Sequence, residues 1–400
     1  MSYQIEDFQN FNQFSFIQNG LELRKKLEEE LKSYNRKQTV VLFRHGHRTP
    51  FKYRQPGISA LLEDSFYGHL DMQCFEGKEE LLYQNIQCIS SGSGSVADLN
   101  LQFDVHKQNA GMLTRLGASQ LNTVGRKLKE RYSEDLKKII SICSTNKSEP
   151  LLNISTKTER TIESLQSVLL GLFQDEKTQP SFRVKVLDTS ENNWLGYSLH
   201  RHPDLLDGIG TAHSHDFKCK YIKGYETWAS SLIQTTGASP ESIDLQMIRD
   251  YMTSFERFGY PLPDSLSQIA EDKVLCGRMT TYAVAAESML VEKGIQKTAG
   301  PFFEALLQIL GNDDKILALL SAHDTTVNFV RLALRANDFT WPDFGHNIEF
   351  ELYEHKETKQ KMIMVLYNLI PIVLKVLCKS DTALIPYEGF VEYVKRNLTL

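Results

Sequence analysis

The stretch Val40-Val41-Leu42-Phe43-Arg44-His45-Gly46-His47-Arg48-Thr49-Pro50 runs from four apolar residues straight into charge, glycine and proline. A short β-branched and aromatic run with that ending reads as a buried strand that empties into a loop. Two arginines flanking a histidine suit a phosphate, because guanidinium forks bind its oxygens bidentately. The imidazole between them can attack phosphorus, so nucleophile and anion clamp share one turn. An ordinary basic turn after a strand is the plainer reading of the same residues.

Working outward, Lys315 to Leu320 is a second apolar strand, followed by Ser321-Ala322-His323-Asp324-Thr325-Thr326 and a helical run through Val327, Val330, Leu332 and Leu334. In open α/β sheets ligands gather beyond the carboxyl ends of strands, so two strand ends far apart in the chain can meet at one site. Taken alone, His-Asp is a weak signal, and Asp324 also reads as a helix cap. Between these motifs, Leu151 to Ser155 reads as a strand. Thr161 to Phe173 reads as a helix with Ile162, Leu165, Val168, Leu169 and Phe173 inward. Thr114 is a candidate N-cap for a stripe through Leu116, Leu121, Val124, Leu128, Tyr132 and Leu136, and Leu23, Leu27, Leu31 and Tyr34 mark an earlier amphipathic helix. Ile348 to Tyr353 and Lys361 to Leu366 alternate around a polar turn, as a hairpin on the sheet edge does.

The pattern predicts an α/β fold: a doubly wound, mostly parallel sheet with helices on both faces and a largely helical inserted cap. Its core is discontinuous, over 21–50, 111–189 and 301–400, with rim loops and cap at 51–110 and 190–300 and an N-terminal arm at 1–20. Four hundred residues with 41% apolar content support such a core. A formal charge of -5 gives no global basic field, which argues against a nucleic-acid partner. No stretch approaches the roughly 18 apolar residues of a membrane span, and no signal or transit peptide is visible, so a cytoplasmic location is expected. Six widely spaced cysteines contain no Cys-x-x-Cys pair. The group His200, His202, His213 and His215 reads as surface, so no metal and no cofactor are expected.

Arg44, His45, Gly46, Arg48 and Pro50 match the Arg-His-Gly-x-Arg-x-Pro signature of the histidine acid phosphatase family, which the chain resembles. Five fixed positions arise by chance at odds on the order of one in ten thousand. Leu113-Thr114-Arg115-Leu116-Gly117 is similar to the family's Leu-Thr-x-x-Gly, and residues 321–326 to its Ser-x-His-Asp-x-Thr. The likeness is strongest to the lysophosphatidic acid phosphatase (acid phosphatase type 6) branch of this superfamily. It is carried by Glu163-Ser164, Gly171-Leu172-Phe173-Gln174, Gly300-Pro301-Phe302, Trp341-Pro342 and Glu351-Leu352-Tyr353-Glu354-His355. The resemblance implies a phosphatase acting on small phosphate monoesters, with His45 as nucleophile, Asp324 as proton donor, and Arg44, Arg48 and His323 binding the phosphate. It implies a lysophosphatidic acid-like substrate and a raised pKa for Asp324 beside bound phosphate. One position departs: Ile154 stands where the family has a further arginine, with Lys157 or Arg160 as substitutes if they reach in. That departure leaves open a weakened or inactive, phosphate-binding pseudophosphatase. A mutase is disfavoured by the Ser-x-His-Asp pattern and the chain length.

Overall fold

Strand β1, Tyr34–Arg44, sits at the middle of the sheet, and both of its faces are covered. Val41 and Phe43 point into one apolar cluster, while Val40 and Leu42 point into another. A strand buried on both sides reads as a continuous apolar run, which is why Val40 to Phe43 shows no polar alternation. The computed structural model describes residues 23, 25–50, 75–90, 111–145, 149–176, 180–187, 194–196, 214–221, 224–237, 239–240, 243, 245–259, 262, 294–336, 341–377 and 382–399.

Among these residues one sheet has the order β2-β4-β3-β5-β1-β6-β7-β8. Its members are β2 (Ile86–Ser90), β3 (Leu151–Thr156), β4 (Phe182–Leu187), β5 (Leu317–Ala322), β6 (Asn347–His355), β7 (Lys361–Tyr367) and β8 (Ile370–Pro371), and β9 (Leu384–Pro386) pairs with β7. The five strands from β2 to β1 are parallel. The expected hairpin, β6 with β7, joins antiparallel and directly at β1, so the sheet is mixed.

Helices α1 (Arg115–Arg131), α2 (Ser133–Cys143) and α3 (Glu159–Phe173) cover one face through Leu121, Leu128, Leu136, Ile139, Leu165 and Val168. Helices α7 (Gly294–Leu310), α8 (Asp324–Ala333) and α9 (Tyr387–Asn397) cover the other through Phe302, Leu306, Val327, Val330, Phe390 and Val394. The described part of 190–300 is largely helical: α4 (His215–Tyr221), α5 (Tyr225–Thr236), α6 (Leu245–Phe258) and the start of α7. The helical run expected at 278–293, His200, His202, His213 and most of the 51–110 rim lie outside the described residues. The amphipathic helix near 25–30 tightens into a 3-10 turn, and Tyr34 already belongs to β1.

One break was not expected. The stripe from Leu116 to Leu136 is two helices, because the chain leaves helical geometry at Tyr132 (φ -109°, ψ 24°). There the buried Tyr132 hydroxyl lies 2.6 Å from Glu349 Oε2 and 2.8 Å from Glu351 Oε1. One hydroxyl proton serves one of these oxygens, and ionised carboxylates only accept, so one carboxyl must carry a proton. Glu351 is held by the Arg131 fork at 2.7 and 2.9 Å and by the Tyr353 hydroxyl at 2.6 Å, which favours its charge. Glu349 has a backbone N–H from Leu369, and its proton then points to Tyr132. Burial, and then the neighbouring Glu351, push Glu349 up to about 7.

A carboxyl whose pKa is raised by folding stabilises fully below its unfolded pKa and loses that contribution as pH rises through the folded value. Between about pH 4.5 and 7 this group therefore removes about 3 kcal/mol. In denaturant titrations Glu349→Gln should lose that part of the pH slope. An unchanged slope would mean that Glu349 is ionised in the folded protein.

Candidate active site

The loop after β1 is fixed through its backbone. His45 N–H donates to Ala322 O on β5 (3.0 Å), Gly46 N–H to Ser164 Oγ on α3 (3.0 Å), and His47 N–H to Gln120 Oε1 on α1 (2.9 Å). Gly46 faces Gly117 so closely that a Cβ on either would collide with the other segment's backbone. This accounts for both glycines: they let the N-terminus of α1, capped by Thr114 Oγ1 accepting from Gly117 N–H (3.1 Å), seat against the loop.

The side chains of this loop and of the β5 end converge. Arg44 Nη2 pairs with Asp324 Oδ2 at 2.8 Å, and Arg44 Nη1 donates to Pro342 O at 2.8 Å. The Arg44 guanidinium lies over the Phe344 ring, 4.1 Å from its centroid, and Arg44 Nε is buried with no hydrogen-bond partner. The rings of His45 and His323 stand edge to face with centroids 5.8 Å apart. Arg48 is buried beside them. All five residues expected to form the site are therefore brought together.

His45 is almost fully buried, and its Nδ1 lies 2.8 Å from Gly46 O. A carbonyl oxygen only accepts, so the proton sits on Nδ1 and the lone pair on Nε2. Burial first, and then the charges of Arg160, Arg44 and Arg48, hold His45 well below the usual histidine range, so the ring stays neutral in mild acid. His323 is lowered to about 3 by the same causes, burial and then Arg160. Its Nε2 lies 3.0 Å from Thr156 Oγ1, and Arg160 Nη2 donates to its Nδ1 at 3.4 Å.

Arg160, on the first turn of α3, thus reaches the site and exerts the largest charge effect on both histidines. Ile154 does not face the site: it is 4% exposed and packs in the apolar cluster with Val40, Leu42 and Leu320. Lys157 is exposed at the strand end.

Asp324 is the first residue of α8, and His323 is its N-cap. Its Oδ1 accepts from Thr325 N–H (2.9 Å), while Oδ2 accepts from Trp341 Nε1 (3.2 Å) and pairs with Arg44. Burial alone would raise this carboxyl, but Arg44, Arg48, His323 and the Thr325 N–H together pull it down to about 2. The protein's own groups therefore oppose the raised pKa expected of Asp324, and a bound anion would act in the opposite direction. His47 is tied to the elements around the loop. Its ring is fully buried, 2.9 Å from Thr114 Oγ1, and its Nε2–H donates to Ser254 O on α6 at 3.2 Å.

Pro342, Trp341, Phe344 and Ser164 position the charged groups, and nothing in the sequence pattern marked them for this; only Trp341-Pro342 and Ser164 stood in branch-like stretches. Among the described residues no group of three or more His, Cys, Asp or Glu side chains could hold a metal ion, and no helix is long and apolar enough to cross a membrane.

Residues 37–216 match the family model described as histidine phosphatase superfamily (branch 2). The chain is 24% identical over 357 residues to lysophosphatidic acid phosphatase type 6 of Bos taurus, covering 83% of this chain and 77% of that protein. It is 23% identical over 372 residues to a probable acid phosphatase of Schizosaccharomyces pombe, covering 80% and 72%. In fold it is similar to the multiple inositol polyphosphate phosphatase of Bifidobacterium longum, with a TM-score of 0.56 at 10% identity over 92% of this chain and 93% of that one. The strand-end motifs thus meet at one place in a chain whose residues 37–216 match the histidine phosphatase superfamily (branch 2) model and which is similar to phosphatases over about four fifths of its length.

Proposed function

We propose that the chain hydrolyses phosphate monoesters through a phosphohistidine on His45 Nε2. The observation that carries this reading is the fixed tautomer: Nδ1–H is committed to Gly46 O, so a neutral Nε2 lone pair is available amid Arg44, Arg48 and Arg160. The Nε2 lone pair forms the P–N bond as the ester P–O bond breaks, and the electron pair leaves on the alkoxide oxygen. Arg44, Arg48 and Arg160 hold the equatorial oxygens as charge spreads, and His323 joins them once the anion favours its protonation. Water then breaks the P–N bond and releases inorganic phosphate. Arg160 takes the place of the clamp arginine that Ile154 lacks, so the reading is an active enzyme.

The proton for the leaving alkoxide has a definite source. Asp324 is ionised and His45 neutral, so the proton arrives on the substrate monoanion, whose second pKa is about 6, and passes through Asp324. Turnover should therefore fall as pH rises above about 6. Asp324→Asn should slow alkyl phosphates about a hundredfold more than p-nitrophenyl phosphate, whose leaving group needs no proton. Equal losses on both would reduce Asp324 to a partner of Arg44.

Relatives named lysophosphatidic acid phosphatase type 6 favour a lysophosphatidic acid-like substrate. The test of the chemistry is a rapid quench with labelled substrate. An alkali-stable, acid-labile adduct on His45 is expected, and an adduct on another residue type would overturn the reading.

A further inference from the structure

Helix α6 lies outside both motifs, yet it meets the signature loop at two points and the segment around Asp343 at a third. Asp250 Oδ2 accepts from Arg48 Nη1 at 2.9 Å and Asp250 Oδ1 from Arg48 Nη2 at 2.7 Å. Ser254 O accepts from His47, and Arg257 pairs with Asp343, next to the Pro342 carbonyl that holds Arg44. Positions 250, 254 and 257 fall on one helix face, while Ile248, Tyr251, Met252 and Phe255 are buried on the opposite one. The helix is seated by its apolar side and addresses the loop with its polar side.

We infer that Asp250 is a positioning residue for phosphate binding: it fixes the plane of the Arg48 guanidinium and offsets its charge, so that the arginines can gather around one anion. This rests on the phosphatase reading above. Arg48 gives two of its five donor protons to Asp250 and one to Thr49 O at 3.0 Å, which sets the plane and the direction of its Nε/Nη2 edge. A guanidinium presented edge-on in a fixed plane binds a phosphate bidentately without first losing side-chain freedom. The charge argument is independent of that geometry. Arg48 disfavours the charged forms of Arg44 and Arg160, and Asp250 favours both, so its carboxylate counters the repulsion that would spread the clamp.

Outer partners that orient a binding group typically contribute ten- to a hundredfold in affinity. With the full chain, titration calorimetry with inorganic phosphate and steady-state kinetics on p-nitrophenyl phosphate should be compared for wild type, Asp250→Asn and Arg257→Ala. Asp250→Asn should weaken phosphate binding about tenfold and raise KM by the same factor, with kcat within about threefold. Arg257→Ala, which loosens α6 without touching Arg48, should leave phosphate affinity within about twofold.

Tighter binding in Asp250→Asn would make the carboxylate a competitor of phosphate and overturn the inference. So would unchanged binding, or an equal loss in Arg257→Ala. Should Asp250→Asn fail to fold with Arg48 left uncompensated, Arg48→Lys and Arg48→Lys/Asp250→Asn replace it. An ammonium keeps the charge that Asp250 offsets but has no plane to orient, so the second substitution should then still weaken phosphate binding, by less than about tenfold, and unchanged binding, tighter binding or a larger loss overturns the proposal. No phosphate binding by wild type would sink this inference and the phosphatase reading together, whereas wild-type binding that ignores Asp250 sinks this inference alone.

Discussion

His45→Ala should lower turnover at least about ten-thousandfold while leaving the fold intact, because the proposed mechanism then loses its attacking group and no neighbour can take its place. The other imidazoles near phosphorus are committed: His323 to Thr156 and Arg160, and His47 to Thr114 and Ser254. The lost side chain makes one hydrogen bond, to the carbonyl of the next residue, so thermal unfolding should shift by only a few degrees. Inorganic phosphate should still bind, since the guanidiniums remain. Added imidazole can enter the space left by the ring and should restore measurable turnover. Activity within tenfold of wild type would exclude His45 as the attacking group.

Arg160→Ala should cost about a hundred- to a thousandfold in kcat, the usual effect of deleting one preorganised donor to a developing oxyanion. The residue also donates to His323 Nδ1, so its loss frees that histidine to protonate more readily, and the acid side of the pH profile should change. Arg160→Lys should recover only part of the rate, because an ammonium cannot present two parallel donors. Ile154→Arg offers no rescue. Its side chain lies in the apolar cluster shared with Val40, Leu42 and Leu320, and a charge there destabilises by more than about 3 kcal/mol. A rise in kcat from Ile154→Arg would show that this position faces phosphate after all.

That contrast shows what the sequence carried and what it did not. The strand-loop motifs were legible because strand length, apolar runs and Gly or Pro breaks act locally, and the parallel-sheet rule then placed both loops at one edge. Ile154 looks like a missing clamp residue only while its position in a pattern is weighed without its side-chain direction. Strand alternation put Leu151 into one cluster and Ile154 into the opposite one, and that was available from the residues. The reach of Arg160 was not, since a long side chain on the first turn of a helix has many directions open to it. Asp250 lies 202 residues from Arg48 and in no motif, so only folding could pair them. The Tyr132 break was hidden for a similar reason, because its hydroxyl partners sit more than 200 residues away on β6.

The central place of β1 has a consequence for how the protein is made. Its partner β5 follows 278 residues later, pairing Thr39 with Leu317, and β6 comes later still. At synthesis rates of about 5–20 residues per second, Val40 to Phe43 leave the ribosome roughly 15 to 55 seconds before either neighbouring strand exists. For that interval an apolar strand with both edges unpaired is open to association with other chains. Slowing elongation between residues 50 and 310 should therefore lower the soluble yield more than slowing it after residue 367, when β7 is complete.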